Sequence, residues 1–222
     1  MYVYDTSRFG EYRDRWIAAA DSTIQYLASH PSSRPELTFL AIFNGTDLQD
    51  NSEHLACFDG GNFILGGLVL QEQKYVDFGL QLVEACEDTY NQTLTGIGPE
   101  TFSWNASAVP ANQTAFYQRA GFYITDGHYI LRPEVLESFY YAYRVTGDRK
   151  YQDVCRSSSE FQGKVMQANS RSQYSWNGYL AINTTTHIGS GYSEITDVNA
   201  PGGGNKTNFQ ESFWFAEVLK YA

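Results

Sequence analysis

Hydrophobic residues along the chain recur mainly at intervals of three and four, the spacing that places them on one face of an α-helix. Four segments show this pattern most clearly: residues 11–29, 73–90, 133–146 and 209–221. Pro31 follows the first segment and Gly147 the third, and both residue types commonly stand just beyond the end of a helix. The pattern therefore predicts a mainly helical protein.

The segments between these helices have a different character. "LTFLAIF" at 37–43 is able to form a strand, whereas "NAPGGGNKTN" at 199–208 is typical of a loop. The glycine pairs of "FDGGNFILGG" do not follow the spacing of a nucleotide-binding loop, so they indicate a turn or close backbone packing. Amphipathic helices joined by long loops predict an all-α toroid or barrel with minor β-hairpins, in which the loops at one end build the site.

Residues 154–175, "VCRSSSEFQGKVMQANSRSQYS", do not fit this scheme, because they are polar and serine-rich and lack clean periodicity. They separate two stretches that would otherwise join as one helix. Two explanations stay open, a mobile insertion or a mis-spliced or mis-assigned stretch of coding sequence.

The charge of the chain limits the classes of partner that we expect it to bind. The formal net charge is −10, and charged residues make up 18% of the 222 residues. Such a surface repels phosphate backbones and anionic lipids, so we expect neither nucleic acid nor a membrane surface as a partner. No apolar run reaches 18 residues, so no membrane-spanning segment is expected in this chain. Aromatic residues, 16% of the chain, suit either sugar stacking or a helical core.

Sequons and cysteines predict the compartment. The sequence contains six N-x-S/T sequons, more than chance supplies, at Asn44, Asn91, Asn105, Asn112, Asn183 and Asn205. They indicate N-glycosylation in the secretory pathway, with the protein either secreted or anchored in a membrane there. The first residues lack the apolar region of a signal peptide, and the last helical pattern runs to Ala222 without a stop signal. We therefore expect the chain to be part of a larger domain.

The stretch "RPEVLE" contains the first candidate for chemistry. Pro133 suits the first position of a helix, where its missing N–H costs nothing. Glu134 then lies in the first turn, where the helix dipole favours an ionised carboxylate, as a general base requires. Glu137 follows one turn later on the same face. Solvated acids that merely cap the helix remain the alternative.

Five collinear motifs now suggest a family: "YILRPEVLESFYYAYRVTGDRKYQD", "EHLACFDGG", "GIGPETFSW", "GYSEITDV" and "QESFWFAEVLKY". Together they resemble glycoside hydrolase family 47, the class I α-1,2-mannosidases, in particular the secreted fungal type. The likeness fails only at 154–175. It implies an (α/α)7 barrel in which residues 1–222 form the central and C-terminal part of one catalytic domain. It also implies calcium as cofactor, a high-mannose N-glycan as substrate, a monomer, and hydrolysis with inversion.

The resemblance assigns Glu134 as the catalytic base and implies that Arg132 and Glu137 line the site. An inverting enzyme separates its acid and base by roughly 6.5–9.5 Å to admit water. Glu134 and Glu137, one helical turn apart, are therefore not the acid–base pair, and the acid is expected outside this chain. The calcium-binding threonine is expected beyond Ala222, so no metal ligand is assigned within the chain.

Further substrate contacts come from the resemblance alone. His54 would contact the terminal mannose, Phe213 would stack beneath it, and Glu217 would hydrogen-bond it. Phe213 and Glu217 are four residues apart, so one helix face presents both. Glu211 is a weaker candidate for ordering water near calcium. The alternatives are a structural histidine, a core phenylalanine and a surface glutamate.

The resemblance also implies a disulfide between Cys57 and Cys86, with Cys155 left unpaired. Closing that loop would stabilise the fold by roughly 3–4 kcal/mol in the chain-entropy model. Two buried free thiols are the alternative.

The sequence thus predicts a calcium-dependent mannosyl-oligosaccharide 1,2-α-mannosidase, of which this chain by itself would be inactive. A glycan-binding relative without hydrolytic activity and a non-functional truncated copy stay open. A purely structural toroid would not explain the order of the motifs.

Overall fold

The structure is a computed structural model of the chain, and it describes residues 1–152, 193–207 and 209–221. The segment 154–175, with Cys155, lies outside the described residues, as does the sequon at Asn183. Both explanations for that segment therefore stay predictions.

The described part of the chain is mainly helical, as predicted. Its helices are α1 (Gly10–Tyr26), α2 (Phe58–Leu70), α3 (Gln73–Asn91), α4 (Thr114–Ala120) and α5 (Glu134–Thr146). A π-helical turn at Trp214–Val218 continues into a last α-helical turn at Leu219–Tyr221, and we call these two turns together α6. The helices α1, α3 and α5 match the periodic segments within a few residues. The last helix begins later than residue 209, and neither α2 nor α4 was predicted.

Within the described residues, short antiparallel strands form three small sheets, which confirms the minor β-hairpins. The strands are β1 (Ala28–Ser29), β2 (Phe39–Leu40), β3 (Ile42–Phe43), β4 (Leu48–Gln49), β5 (Asn51–Glu53), β6 (Thr101–Ser103) and β7 (Tyr123–Asp126). β1 pairs with β2, β3 pairs with β4, and β5, β6 and β7 form a three-stranded sheet in that order. The strand-forming stretch 37–43 supplies both β2 and β3.

Glycines form the contact surface of α2 with α3 and α5, as the prediction of close packing requires. A Cβ atom on Gly60 would lie 2.8 Å from Val83, and one on Gly79 would lie 2.8 Å from the carbonyl oxygen of Gly60. On the α5 side, a Cβ atom on Gly61 would lie 3.3 Å from the Cα of Ser138. Glycine costs a helix about 1 kcal/mol relative to alanine. Here that cost is offset because the three helices approach within backbone contact.

The interior is rich in aromatic side chains. One core cluster lies between α2, α3, α5 and α6, and includes Tyr90, Tyr129, Phe139 and Trp214. A second cluster packs Phe39, Phe102, Trp104, Phe116 and Phe122 around the three-stranded sheet, with several rings edge to face. Much of the aromatic content therefore fills the core.

A disulfide joins Cys57 to Cys86, as the resemblance implied, with the two Cα atoms 6.0 Å apart. The alternative of two buried free thiols is therefore wrong. Cys57 ends the 3₁₀ turn His54–Cys57, which leads directly into α2, and Cys86 lies in α3. The crosslink thus ties the turn that carries His54 to the long helix beside it.

The asparagines of the five sequons in the described part of the chain are all exposed: Asn44, Asn91, Asn105, Asn112 and Asn205. In the part of the chain that the structure describes, no helix is long and apolar enough to cross a membrane.

Candidate active site

The first turn of α5 presents two carboxylates. Glu134 opens the helix and Pro133 is its N-cap, one position earlier than predicted, while Gly147 ends it with a φ of 70°. The side chains of Glu134 and Glu137 are buried, with residue exposures of 7% and 8%. The alternative of solvated capping acids is therefore wrong, because burial of two carboxylates requires specific partners.

An unusual backbone conformation precedes α5. Leu131 has a φ of 66° and is completely buried. The left-handed region costs an L-residue roughly 1–2 kcal/mol, so the surroundings must impose it. Two hydrogen bonds between the backbones of Tyr129 and Ile195, of 3.0 and 3.1 Å, fix the chain just before Leu131. The resulting turn leads directly to Arg132 and Glu134.

His54 reaches Glu134 from the turn before α2. Its Nδ1 lies 3.3 Å from Glu134 Oε2, and its Nε2 hydrogen-bonds with the hydroxyl of Tyr90. The backbone N–H of His54 donates to the carbonyl oxygen of Glu100 at 2.9 Å. The ring is 2% exposed. His54 and Glu134, which were predicted separately as site residues and lie 80 residues apart in sequence, are thus in contact.

Arg132 connects two acids. Its Nε donates to both carboxylate oxygens of Glu100, at 3.0 and 2.8 Å, and its Nη1 lies 3.7 Å from Glu134 Oε1. Glu100 was not among the predicted site residues. It stands inside the quoted motif "GIGPETFSW", and that position was the available signal.

The environment of Glu134 favours its ionised form. Burial by itself raises the pKa of Glu134. The hydrogen bond from His54, a bond to its own backbone N–H and the charge of Arg132 outweigh that effect, so the pKa lies below the usual value. At neutral pH the group is therefore a carboxylate able to accept a proton, as a general base must be.

Glu137 has a separate partner in α6. The hydroxyl of Tyr221 donates to Glu137 Oε1 at 2.7 Å. Burial and this neighbouring carboxylate raise the pKa of Tyr221, and the charge of Glu217 adds to the effect, so the phenol stays protonated as the donor. Tyr221 was not predicted, although it lies one helical turn beyond Glu217.

The other predicted residues lie around α6. Phe213 is half-buried and packs against the core cluster between the helices, as its structural alternative proposed. Glu217 is also half-buried and influences Tyr221 rather than lying free on the surface. Glu211 is half-buried. Burial raises the pKa of Glu194, and the charge of Glu211 adds to that effect. The sugar and calcium contacts assigned to these three residues stay predictions.

The described residues do not by themselves make a calcium site. Within residues 1–152, 193–207 and 209–221, no three or more His, Cys, Asp or Glu side chains are grouped to hold a metal ion. Calcium normally takes six to eight oxygen ligands, so the donor set present does not fit the ion.

Comparison with known proteins identifies relatives of this chain. The chain is 57% identical to the probable mannosyl-oligosaccharide α-1,2-mannosidase 1B of Aspergillus clavatus and 51% identical to the mannosyl-oligosaccharide α-1,2-mannosidase of Penicillium citrinum. Each match covers all of this chain and 40% of the relative, so the chain spans about two fifths of the relatives' length.

A solved structure shows the same fold. The α-1,2-mannosidase from Trichoderma reesei superposes with a TM-score of 0.84 at 48% identity, over all of this chain and 43% of that one. The sequence profile described as glycosyl hydrolase family 47 matches residues 1–222. The family predicted from the five motifs is confirmed: this chain belongs to glycosyl hydrolase family 47.

Proposed function

We propose that the protein containing this chain hydrolyses α-1,2-linked mannose from high-mannose N-glycans, with Glu134 as general base. The observation that carries the proposal is the ionised, buried carboxylate of Glu134 between His54 and Arg132. The relatives bear the name mannosyl-oligosaccharide α-1,2-mannosidase, which supplies the substrate class.

In this proposal each residue has one task. Glu134 takes a proton from the attacking water, and its lowered pKa keeps it available for that step. His54 and Arg132 each engage one of its oxygens and so fix the orientation of the carboxylate. Both oxygens of Glu100 accept from Arg132, which suits Glu100 to hold the guanidinium rather than to deliver a proton. In this proposal the general acid is therefore a residue other than Glu100.

The proposal extends to the complete fold and its surroundings. The described helices would form part of an (α/α)7 barrel, and the likeness to the Trichoderma reesei enzyme supports that architecture. Exposed sequons and the disulfide support passage through the secretory pathway. We further propose a monomer with calcium as its cofactor. If calcium is required, EDTA should abolish mannose release from the full-length protein and added calcium should restore it. Adding first EDTA and then calcium to one assay of mannose release measures both effects.

The test uses the full-length gene product. Incubation with a high-mannose glycan is expected to release free mannose, and NMR spectra recorded early in the reaction should show the anomer inverted relative to the linkage. Glu134→Gln should lower kcat by about 10²–10⁴, the usual contribution of a general base. Glu11→Gln is the matched control, because Glu11 is an exposed residue in α1 whose carboxylate pairs only with Arg15 at 3.5 Å among the ion pairs of the described chain. Glycan binding without release by the wild type would instead identify a non-hydrolysing relative.

A further inference from the structure

The hydroxyl of Tyr90 contacts the histidine of the site, although Tyr90 takes no part in the proposed proton transfer. It lies in the last turns of α3, is 2% exposed, and hydrogen-bonds through its hydroxyl with His54 Nε2. Burial and the nearby side chains of Tyr129, Glu134 and Glu100 raise its pKa well above the usual value. The phenol is therefore protonated at neutral pH.

The hydrogen bond of Tyr90 determines how His54 meets Glu134. A neutral imidazole carries one N–H and one lone pair, and the bond made at one nitrogen sets which proton the other carries. When the Tyr90 hydroxyl donates to Nε2, the proton of His54 resides on Nδ1. It then points at Glu134 Oε2, 3.3 Å away. The opposite tautomer would place a lone pair against an ionised carboxylate.

The groups that face this contact come from several elements. Glu134 opens α5 and Arg132 precedes it, while Glu100 stands before β6 and is bound to Arg132. Tyr90 and Tyr129 flank the His54 ring, with ring centroids 5.5 and 5.7 Å away. The hydroxyl of Tyr129 does not contact the imidazole nitrogens but donates to the backbone carbonyl of Arg132 at 3.2 Å.

We propose that Tyr90 is a positioning residue that acts through His54, holding the ring so that Nδ1–H is directed at the catalytic carboxylate of Glu134. This inference rests on the proposed role of Glu134 as base. Without the Tyr90 hydroxyl, Nε2 loses its partner in a buried site and the ring is free to turn. Glu134 then loses the donor that lowers its pKa.

The test compares Tyr90→Phe with Tyr129→Phe in the full-length protein. Each variant removes one buried hydroxyl next to the same ring. Of these two hydroxyls, only that of Tyr90 has a described hydrogen bond with the imidazole. In Tyr90→Phe the acidic limb of the kcat/KM profile should move up by about one pH unit, since the carboxylate protonates more readily. In Tyr129→Phe the midpoint of that limb should stay where it is in the wild type.

Nitrogen NMR of protein labelled with ¹⁵N-histidine supplies a readout that needs no catalysis. In the wild type His54 should show Nδ1 protonated and Nε2 unprotonated, and Tyr90→Phe should lose this signature; His54→Asn assigns the signals. An unchanged acidic limb and signature in a folded Tyr90→Phe variant would overturn the proposal. A wild-type His54 protonated on Nε2 alone would also overturn the proposal, and this measurement does not require Tyr90→Phe to fold. A wild type that releases no mannose would refute the function while leaving the histidine measurement valid.

Discussion

The left-handed backbone at Leu131 should change how replacement of this residue affects the free energy of unfolding. Leu131 combines a φ of 66° with complete burial in the core cluster. Removing the side chain with Leu131→Ala should lower the free energy of unfolding by about 3 kcal/mol, because a buried leucine is lost and a cavity remains. Alanine keeps a Cβ atom and therefore keeps the left-handed strain.

Leu131→Gly removes one further methyl group but also removes that strain. Relief of the left-handed conformation contributes roughly 1–2 kcal/mol, and the greater freedom of glycine in the unfolded chain takes back about 0.4–1 kcal/mol. The buried methyl group that glycine lacks contributes a further ~0.8 kcal/mol in favour of alanine. We therefore expect the two variants to lie within about 1 kcal/mol of each other in free energy of unfolding. At ordinary positions alanine is clearly favoured over glycine.

The assay is equilibrium urea unfolding of the four variants Leu131→Ala, Leu131→Gly, Leu136→Ala and Leu136→Gly. Leu136 is the matched control, because it is a buried leucine of the same cluster within the regular helix α5. There alanine should be the more stable replacement by about 2 kcal/mol, from helix propensity and the buried methyl group together. If alanine exceeds glycine by as much at Leu131 as at Leu136, no strain resides at this turn and the reasoning fails.

Three further results are expected. Because the pKa of Glu134 lies below its usual value, its carboxylate persists on acidification. The full-length enzyme should therefore keep at least half its maximal kcat/KM at about pH 4.3, the pKa of an ordinary glutamate. An acidic midpoint of the kcat/KM profile well above that pH would contradict the lowered pKa. Replacing both Cys57 and Cys86 by serine should lower the free energy of unfolding by about 3–4 kcal/mol, measured by thermal or urea unfolding, and an unchanged stability would be the contrary outcome. Gly79→Ala should cost about 1–3 kcal/mol because its Cβ would lie 2.8 Å from the backbone of α2, whereas Gly10→Ala, with open space around it, should be neutral or slightly stabilising in the same assay.

Periodicity identified the helices that bury one face. The segments that became α1, α3 and α5 carry apolar residues at helical spacing, so their positions could be predicted closely. Helix α2 could not, because four of its thirteen residues are glycines and its apolar residues do not form a stripe. Its stability depends on tertiary contact with α3 and α5, which the local sequence does not encode.

The site residues could be predicted where they belong to recognisable sequence motifs. The resemblance identified Glu134, His54 and Arg132, and the structure places them in contact. The partners Tyr90 and Tyr221 were not predicted, since each joins the site through one hydroxyl from a distant helix. A tyrosine in an aromatic-rich helix gives no sign in the sequence of whether its hydroxyl meets a catalytic group or water.

The disulfide has a consequence for the order of events during biosynthesis. Cys57 stands three residues after His54, and Cys86 stands four residues before Tyr90. If these thiols are oxidised as the polypeptide emerges, the disulfide holds the segments that carry the histidine and the phenol close together before the chain has reached Glu134. A nascent chain in a reducing compartment would have to bring the same two side chains together by non-covalent contacts alone.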